Sequence, residues 1–225
     1  MKWIQKSETT YFGIIFIMLL GKGIWTLYGL DDPLVLRFTN SWAVMAAVST
    51  VGYLCLQISR SVAIPGLWRK DGLLLAALTG AGFAGLQILL VTLQGIQVPM
   101  VPFPLSIPVY LSVGILSELL FHYIPLVIFL FLIEKILFKG NRLKQSFWVI
   151  VLILSLWEPI LQLFMMIRMD LIPHIAAGIL PFLLVFTANI IPLYYIKRYG
   201  LAAAIIWRLS DYILWHIIWG GIVSY

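Results

Sequence analysis

The sequence predicts an all-α, polytopic transmembrane bundle of seven to eight helices, and three observations predict it. Of 225 residues, 62% are hydrophobic and only 11% charged, where a soluble domain has roughly 25% charged residues. Mean hydropathy is +1.03. The apolar residues gather into seven segments, about 11–30, 41–58, 72–95, 106–137, 146–167, 174–196 and 200–222, all but the longer fourth close to the ~20 residues that cross a bilayer core. The basic residues alternate between the gaps. With Lys135 counted in the gap it borders, one side holds eleven Lys and Arg and the other only Arg37 and Arg168. That bias predicts a cytoplasmic N-terminus and an extracytoplasmic C-terminus in the cell membrane. Residues 1–225 read as a single integral membrane domain with the lipid bilayer as partner. The net charge of +6 sits in short loops, so it reports orientation and predicts no nucleic-acid partner.

The run from Tyr11 to about Leu30 follows Lys2 and Lys6. It is too long for a signal-peptide core and no small-residue cleavage pattern follows it, so it reads as a retained first span. Cys55 stands alone, which excludes a disulfide framework and a thiolate metal site. In the third segment Ala76, Gly80 and Ala84 run beside Ala77, Ala81 and Gly85. Such small-xxx-small rows let helices approach closely, here expected inside the bundle rather than at a dimer interface. Val98–Pro108, with Pro99, Pro102, Pro104 and Pro108, predicts an extended outer loop.

The fourth segment is too long for one simple crossing, because 32 residues make a helix of about 48 Å. Pro125 removes one backbone donor and clashes with the preceding turn. The segment therefore reads as one kinked helix, or as two with the second over about 126–138. Pro159, Pro181 and Pro192 also fall within spans, as a membrane bundle tolerates. Trp42, Trp68, Trp148 and Trp219 fall near span ends, where interfacial anchors belong. No internal repeat or low-complexity segment is present.

Within these apolar segments lie Glu118, His122, Glu158, Arg208 and Asp211. An ionisable residue at the bilayer centre costs about 2.5–3.5 kcal/mol on insertion scales, so each marks a candidate site. Glu118 and His122 are four apart and share a helix face. Glu118 and Glu158 are each 12 residues into their segments, about 18 Å of rise, and Asp211 and Lys22 are each 11 residues in. All four are expected near the midplane. Three acids would then face two bases, Lys22 and Arg208, with His122 and His216 able to serve either way. Arg208, Asp211, Tyr212, Trp215 and His216 follow helical spacing and predict one polar face. A purely structural role would pair Arg208 with Asp211 within a turn. His174 follows Pro173 at a span start and reads as interfacial; His216 reads as a rim residue.

Several chemistries are excluded. Glu118-x-x-x-His122 has the wrong order for a zinc protease helix and offers only one His. No serine elbow occurs, and Asp211 has no second intramembrane Asp for an aspartyl dyad. A Glu general base with a His partner and a polarising donor remains chemically reasonable. No cofactor is assigned.

Three stretches resemble the CPBP family, the CAAX proteases and bacteriocin-processing or immunity proteins also called Abi. Ser117-Glu118-Leu-Leu-Phe121-His122 is similar to the family's E-E-x-x-x-R motif. Leu154-Ser-Leu-Trp-Glu158, 40 residues from Glu118 to Glu158, takes the place of F-x-x-x-H. The stretch from Tyr195 through Gly200-Leu201 to Arg208 and Tyr212 is similar to the H-x-x-x-N or H-x-x-x-D helix. The resemblance covers about residues 106–220 as a CPBP-like core. It implies an intramembrane endopeptidase acting on a membrane-embedded or prenylated peptide. Its catalytic positions would be Glu118, His122, Glu158, Arg208, Asp211 and Tyr212, with Glu118 or Glu158 as base, His122 as acid/base partner and Arg208 as oxyanion donor. The base-bearing first Glu is Ser117 here, the motif Arg is His122, and the two motif His are Glu158 and Arg208. Two other classes remain open: a non-catalytic membrane binding or immunity protein, and a small proton- or cation-coupled transporter. The transporter lacks the paired halves of repeat transporters.

Overall fold

A computed structural model describes residues 2–28, 41–67, 69–94, 100–137, 143–168 and 178–223. Its elements are α1 (Lys2–Leu27), α2 (Trp42–Ser59), α3 (Leu73–Gln94), α4 (Ser106–Ser117), α5 (Ile124–Phe131), α6 (Leu143–Arg168), α7 (Ile179–Tyr199), α8 (Leu201–Tyr212) and α9 (Gly220–Val223). Wide π-helical turns, Glu118–Tyr123 and Leu132–Leu137, follow α4 and α5, and a third, Ile213–Trp219, joins α8 to α9. Seven helical stretches are long and apolar enough to cross a membrane: Ser7–Leu27, Trp42–Val62, Leu73–Leu93, Ser106–Glu134, Phe147–Phe164, Ile179–Tyr199 and Leu201–Val223. The protein is a multi-pass, bilayer-embedded helical bundle.

The fourth segment is one continuous helical span, which decides between the two readings of Pro125. An α-helix would place the proline ring against the carbonyl of Phe121 and leave that carbonyl without its donor. The chain widens one turn earlier instead, with the Ile124 N–H donating to Leu119 O. No break is needed, because the wide turn absorbs the misfit. The proline-rich loop is shorter than expected: α4 starts at Ser106 and Pro108 lies in its first turn, where no intrahelical donor is required. Val98 and Pro99 lie outside the described residues, as do Trp68 and His174.

The fourth and last spans are each more than half buried, whereas no other span exceeds a third. They form the centre, and the other helices wrap them with lipid-facing outer surfaces rich in exposed Leu, Ile and Phe. The small row of α3 faces inward as expected: Ala76, Gly80 and Ala84 are buried, and Gly80 abuts the Trp207 carbonyl of α8. Trp207 is fully buried, with its ring 5.5 Å from Phe83. Trp42 and Trp148 are about half exposed at the starts of their apolar stretches, in keeping with anchoring.

Only Gly200 separates α7 from α8. Its φ of 94° and ψ of 174° belong to a region that only glycine adopts without strain. The chain there is held by the loop after α2. Gly66 and Leu67 carbonyls accept from Leu201 N (3.2 Å) and Ala202 N (2.7 Å), and Arg69 N donates to Tyr199 O at 2.8 Å. Orphan donors of the α8 first turn are thereby satisfied by backbone rather than by a polar side chain.

Candidate functional site

The last span sits close to α4 because Gly114 leaves room for it. A Cβ there would meet Leu209, Tyr212 and Arg208 side-chain atoms at 3.0–3.6 Å. One turn further along, the Arg208 guanidinium reaches the carboxylate of Glu118. Nε donates to Glu118 Oε1 at 2.7 Å, with both side chains buried. The site thus joins two helices whose charged residues are 90 positions apart. His122 Nδ1 lies 3.4 Å from Glu118 Oε2. Glu118 Oε2 has no hydrogen-bond partner although the residue is fully buried, and the buried His122 ring is approached by the Asn189 side chain and the Ser117 backbone without a well-formed hydrogen bond to either.

A chain of neutral groups holds the guanidinium from its other side. Arg208 Nη2 donates to Asn189 Oδ1 at 3.2 Å, and Asn189 Nδ2 faces Ser155 O at 3.5 Å. Pro159 lies four residues after Ser155 in α6, and having no N–H it leaves that carbonyl without its helical donor. The proline thereby supplies an acceptor that Asn189 uses, and Asn189 in turn aims Arg208. Asn189, on α7, was not singled out from the sequence. An amide inside an apolar span was the signal.

The remaining predicted residues divide. Asp211 is buried but accepts from Gln87 Nε2 of α3 at 2.7 Å. This corrects the intra-turn Arg208–Asp211 pair: Arg208 turns across to another helix, and the two interact only through space. Tyr212 packs its ring 5.8 Å from the Arg208 guanidinium and edge-on to Tyr110. Glu158 Oε1 accepts from Gln162 Nε2 at 3.0 Å, one helical turn on, while Oε2 is buried without a partner. Glu158 interacts electrostatically with Arg208, Glu118 and Asp211. Among the described residues no ion pair ties it to Arg208. Gln162 lines a small crevice between α6 and α7 with Pro159, Pro181 and Phe182.

Two residues fall elsewhere. Lys22 is buried with its ammonium 4.4 Å from the Trp25 ring centroid. Its neighbour Gly21 abuts Pro108 and Ser112, roughly 9 Å of helix rise before Glu118. The common level expected for Lys22 and Glu118 is therefore corrected. Counting along α1 gave its place within that helix, but the Lys22 end of α1 packs against the first turns of α4. His216 stacks on Tyr110 at 4.0 Å, and its Nδ1 lies 3.4 Å from Met100 Sδ, a place at the rim beside the proline-rich loop. Ser117 donates to Gly114 O at 3.1 Å. Among the described residues no group of three His, Cys, Asp or Glu is placed to hold a metal ion.

No protein-family model, curated protein or solved structure matches this chain.

Proposed function

We propose that this chain is a homologue of the CPBP-type intramembrane proteases in which the hydrolytic site has been refitted as a structural charge cluster. The observation that carries the reading is the Arg208–Glu118 contact, which unites positions from the first and third motif-like stretches, with His122 beside them. Three features speak for lost hydrolysis. The residue at the base position is Ser117, whose hydroxyl is spent on its own helix. Glu118 is clamped by a guanidinium. Arg208 already uses Nε and Nη2 on Glu118 and Asn189, two of the donors an oxyanion would need.

A second reading keeps the enzyme alive. Glu118 Oε2 has no partner and lies 3.4 Å from His122 Nδ1, so the pair has the groups to activate a water and pass on its proton. Its substrate would be a membrane-embedded or prenylated peptide. Glu118→Gln and Glu158→Gln separate the two readings. For the refitted site, Glu118→Gln loses about 3–5 kcal/mol of stability by stranding Arg208, Glu158→Gln loses less than about 1 kcal/mol, and no peptide is cut by any form. Cleavage by the native protein that disappears in a stably folded Gln variant would establish the enzyme instead.

The orientation proposed is a cytoplasmic N-terminus and extracytoplasmic C-terminus in the cell membrane, from the basic residues of alternate gaps. A reporter fused after Tyr225 is expected to respond as extracytoplasmic; a cytoplasmic response would overturn the assignment.

A further inference from the structure

The end of α7 meets the start of α6 in an aromatic and basic surface. Trp148 of α6 and Tyr194 of α7 stack with ring centroids 6.5 Å apart and planes 17° from parallel, and they are 50% and 42% exposed. Half-exposed amphipathic rings near a span end belong at headgroup level. Lys197 and Arg198 follow Tyr194 by three and four positions, so both are its neighbours on the helix surface. Lys197 is held in place: its ammonium donates to Ala63 O at 3.2 Å and lies 5.7 Å from the Phe147 ring centroid. An ammonium has three donors, so others remain for a ligand. Arg198 is exposed. Arg60 and Arg69, also exposed, flank the connection that carries Ala63, and Lys144 stands four positions before Trp148 in α6. Among the described acids of this side, Glu8 is taken by Tyr53 and Gln57 of α2. Glu134 faces Lys197 electrostatically but is buried, and Asp71 is exposed two positions after Arg69. Cations outnumber these acids, and the surface is basic.

We propose that this surface is a binding site for one anionic phospholipid, with its phosphate against Lys197 and Arg198 and its acyl chains over the Trp148–Tyr194 pair. Net charge is what the site recognises. A zwitterionic headgroup brings its own ammonium up to two cations, and an anionic one does not. Basic pockets between membrane helices bind anionic headgroups, and a guanidinium matches a phosphate with paired donors. A lysine already fixed on Ala63 O loses little freedom on binding. This inference goes beyond the protease-homologue reading and holds whether or not a peptide is cut.

The test is thermal unfolding of the purified full chain in neutral detergent with phosphatidylglycerol, with phosphatidylcholine of the same chains, or with inorganic phosphate. A ligand that binds only the folded protein raises the midpoint. Phosphatidylglycerol is expected to raise it by several degrees, saturably, and the other two to leave it nearly unchanged. Lys197→Gln with Arg198→Gln is expected to lose most of that rise, each form being compared with its own lipid-free midpoint. Lys2→Gln with Lys6→Gln removes the same charge from the start of α1 and is expected to keep the rise. No rise with phosphatidylglycerol, or an equal rise with either other additive, overturns the proposal. So does an unchanged rise in the Lys197 and Arg198 variant, or an equal loss in both double variants, which would mean diffuse attraction rather than a site. If the first double variant does not fold, Arg198→Gln alone, at an exposed position, decides: a clearly smaller rise supports the site, and an unchanged one refutes it.

Discussion

Arg208→Met is expected to destabilise the protein by about 3–5 kcal/mol, and adding Glu118→Gln to it is expected to return a large part of that loss. The single change leaves Glu118, fully buried, with a charge and no cation, and takes from Asn189 Oδ1 its donor. Methionine roughly preserves volume where the α8 side chain reaches between α4 and α7. The second change removes the stranded charge, and buried ion pairs replaced as a unit by neutral groups are often close to neutral in stability. Unfolding in detergent, followed by the fluorescence of the nine tryptophans, gives the cycle. A coupling of 0.5–3 kcal/mol is typical of residues in contact, and here roughly the upper end is expected. A double variant no better than Arg208→Met alone would mean that the contact is not an energetic unit.

Gly200→Ala is expected to cost about 3 kcal/mol or more, or to prevent accumulation of folded protein. The backbone there has φ 94°, a conformation that alone costs an L residue roughly 1–3 kcal/mol. A Cβ would also stand 2.8 Å from the carbonyl oxygens of both Gly66 and Leu67. Those atoms are backbone and already bonded to the start of α8, so they cannot yield without releasing the helix. Gly82→Ala is the control. Gly82 is helical and exposed, with nothing within 4 Å of an added Cβ, so alanine there is expected to be neutral or to stabilise by up to about 1 kcal/mol. Equal losses at the two positions would refute the corner as the cause.

The bundle was legible because its signal is one-dimensional. Apolar length and the spacing of polar residues do not depend on how helices pair, and all seven segments recur with shifts of a few residues. The joining of Glu118 to Arg208 was legible in part, since two buried opposite charges on separate spans need each other. What failed was inter-helix register. Lys22 counts to the middle of its own segment, yet α1 slides against α4 so that Gly21 meets Pro108 and Ser112, and nothing within α1 encodes that offset. Asp211 sits one turn from Arg208, and only the position of Gln87 on α3 shows why the two do not join. Neutral amides were undervalued: Asn189, Gln87 and Gln162 each meet a charged group of the cluster. Pro125 signalled a disturbance but not its form, because a kink and a wide turn answer the same missing donor.

The last span has a place in the chain as well as in the bundle. It is the least apolar of the seven stretches and carries Arg208 and Asp211, a combination that enters lipid poorly when alone. The partners described for it lie upstream: the Gly66 and Leu67 carbonyls at its start, Gln87 for Asp211, and Glu118 and Asn189 for Arg208. A ribosome releases those partners first. The order of synthesis is thus also an order of assembly, in which earlier crossings act as the template for this one.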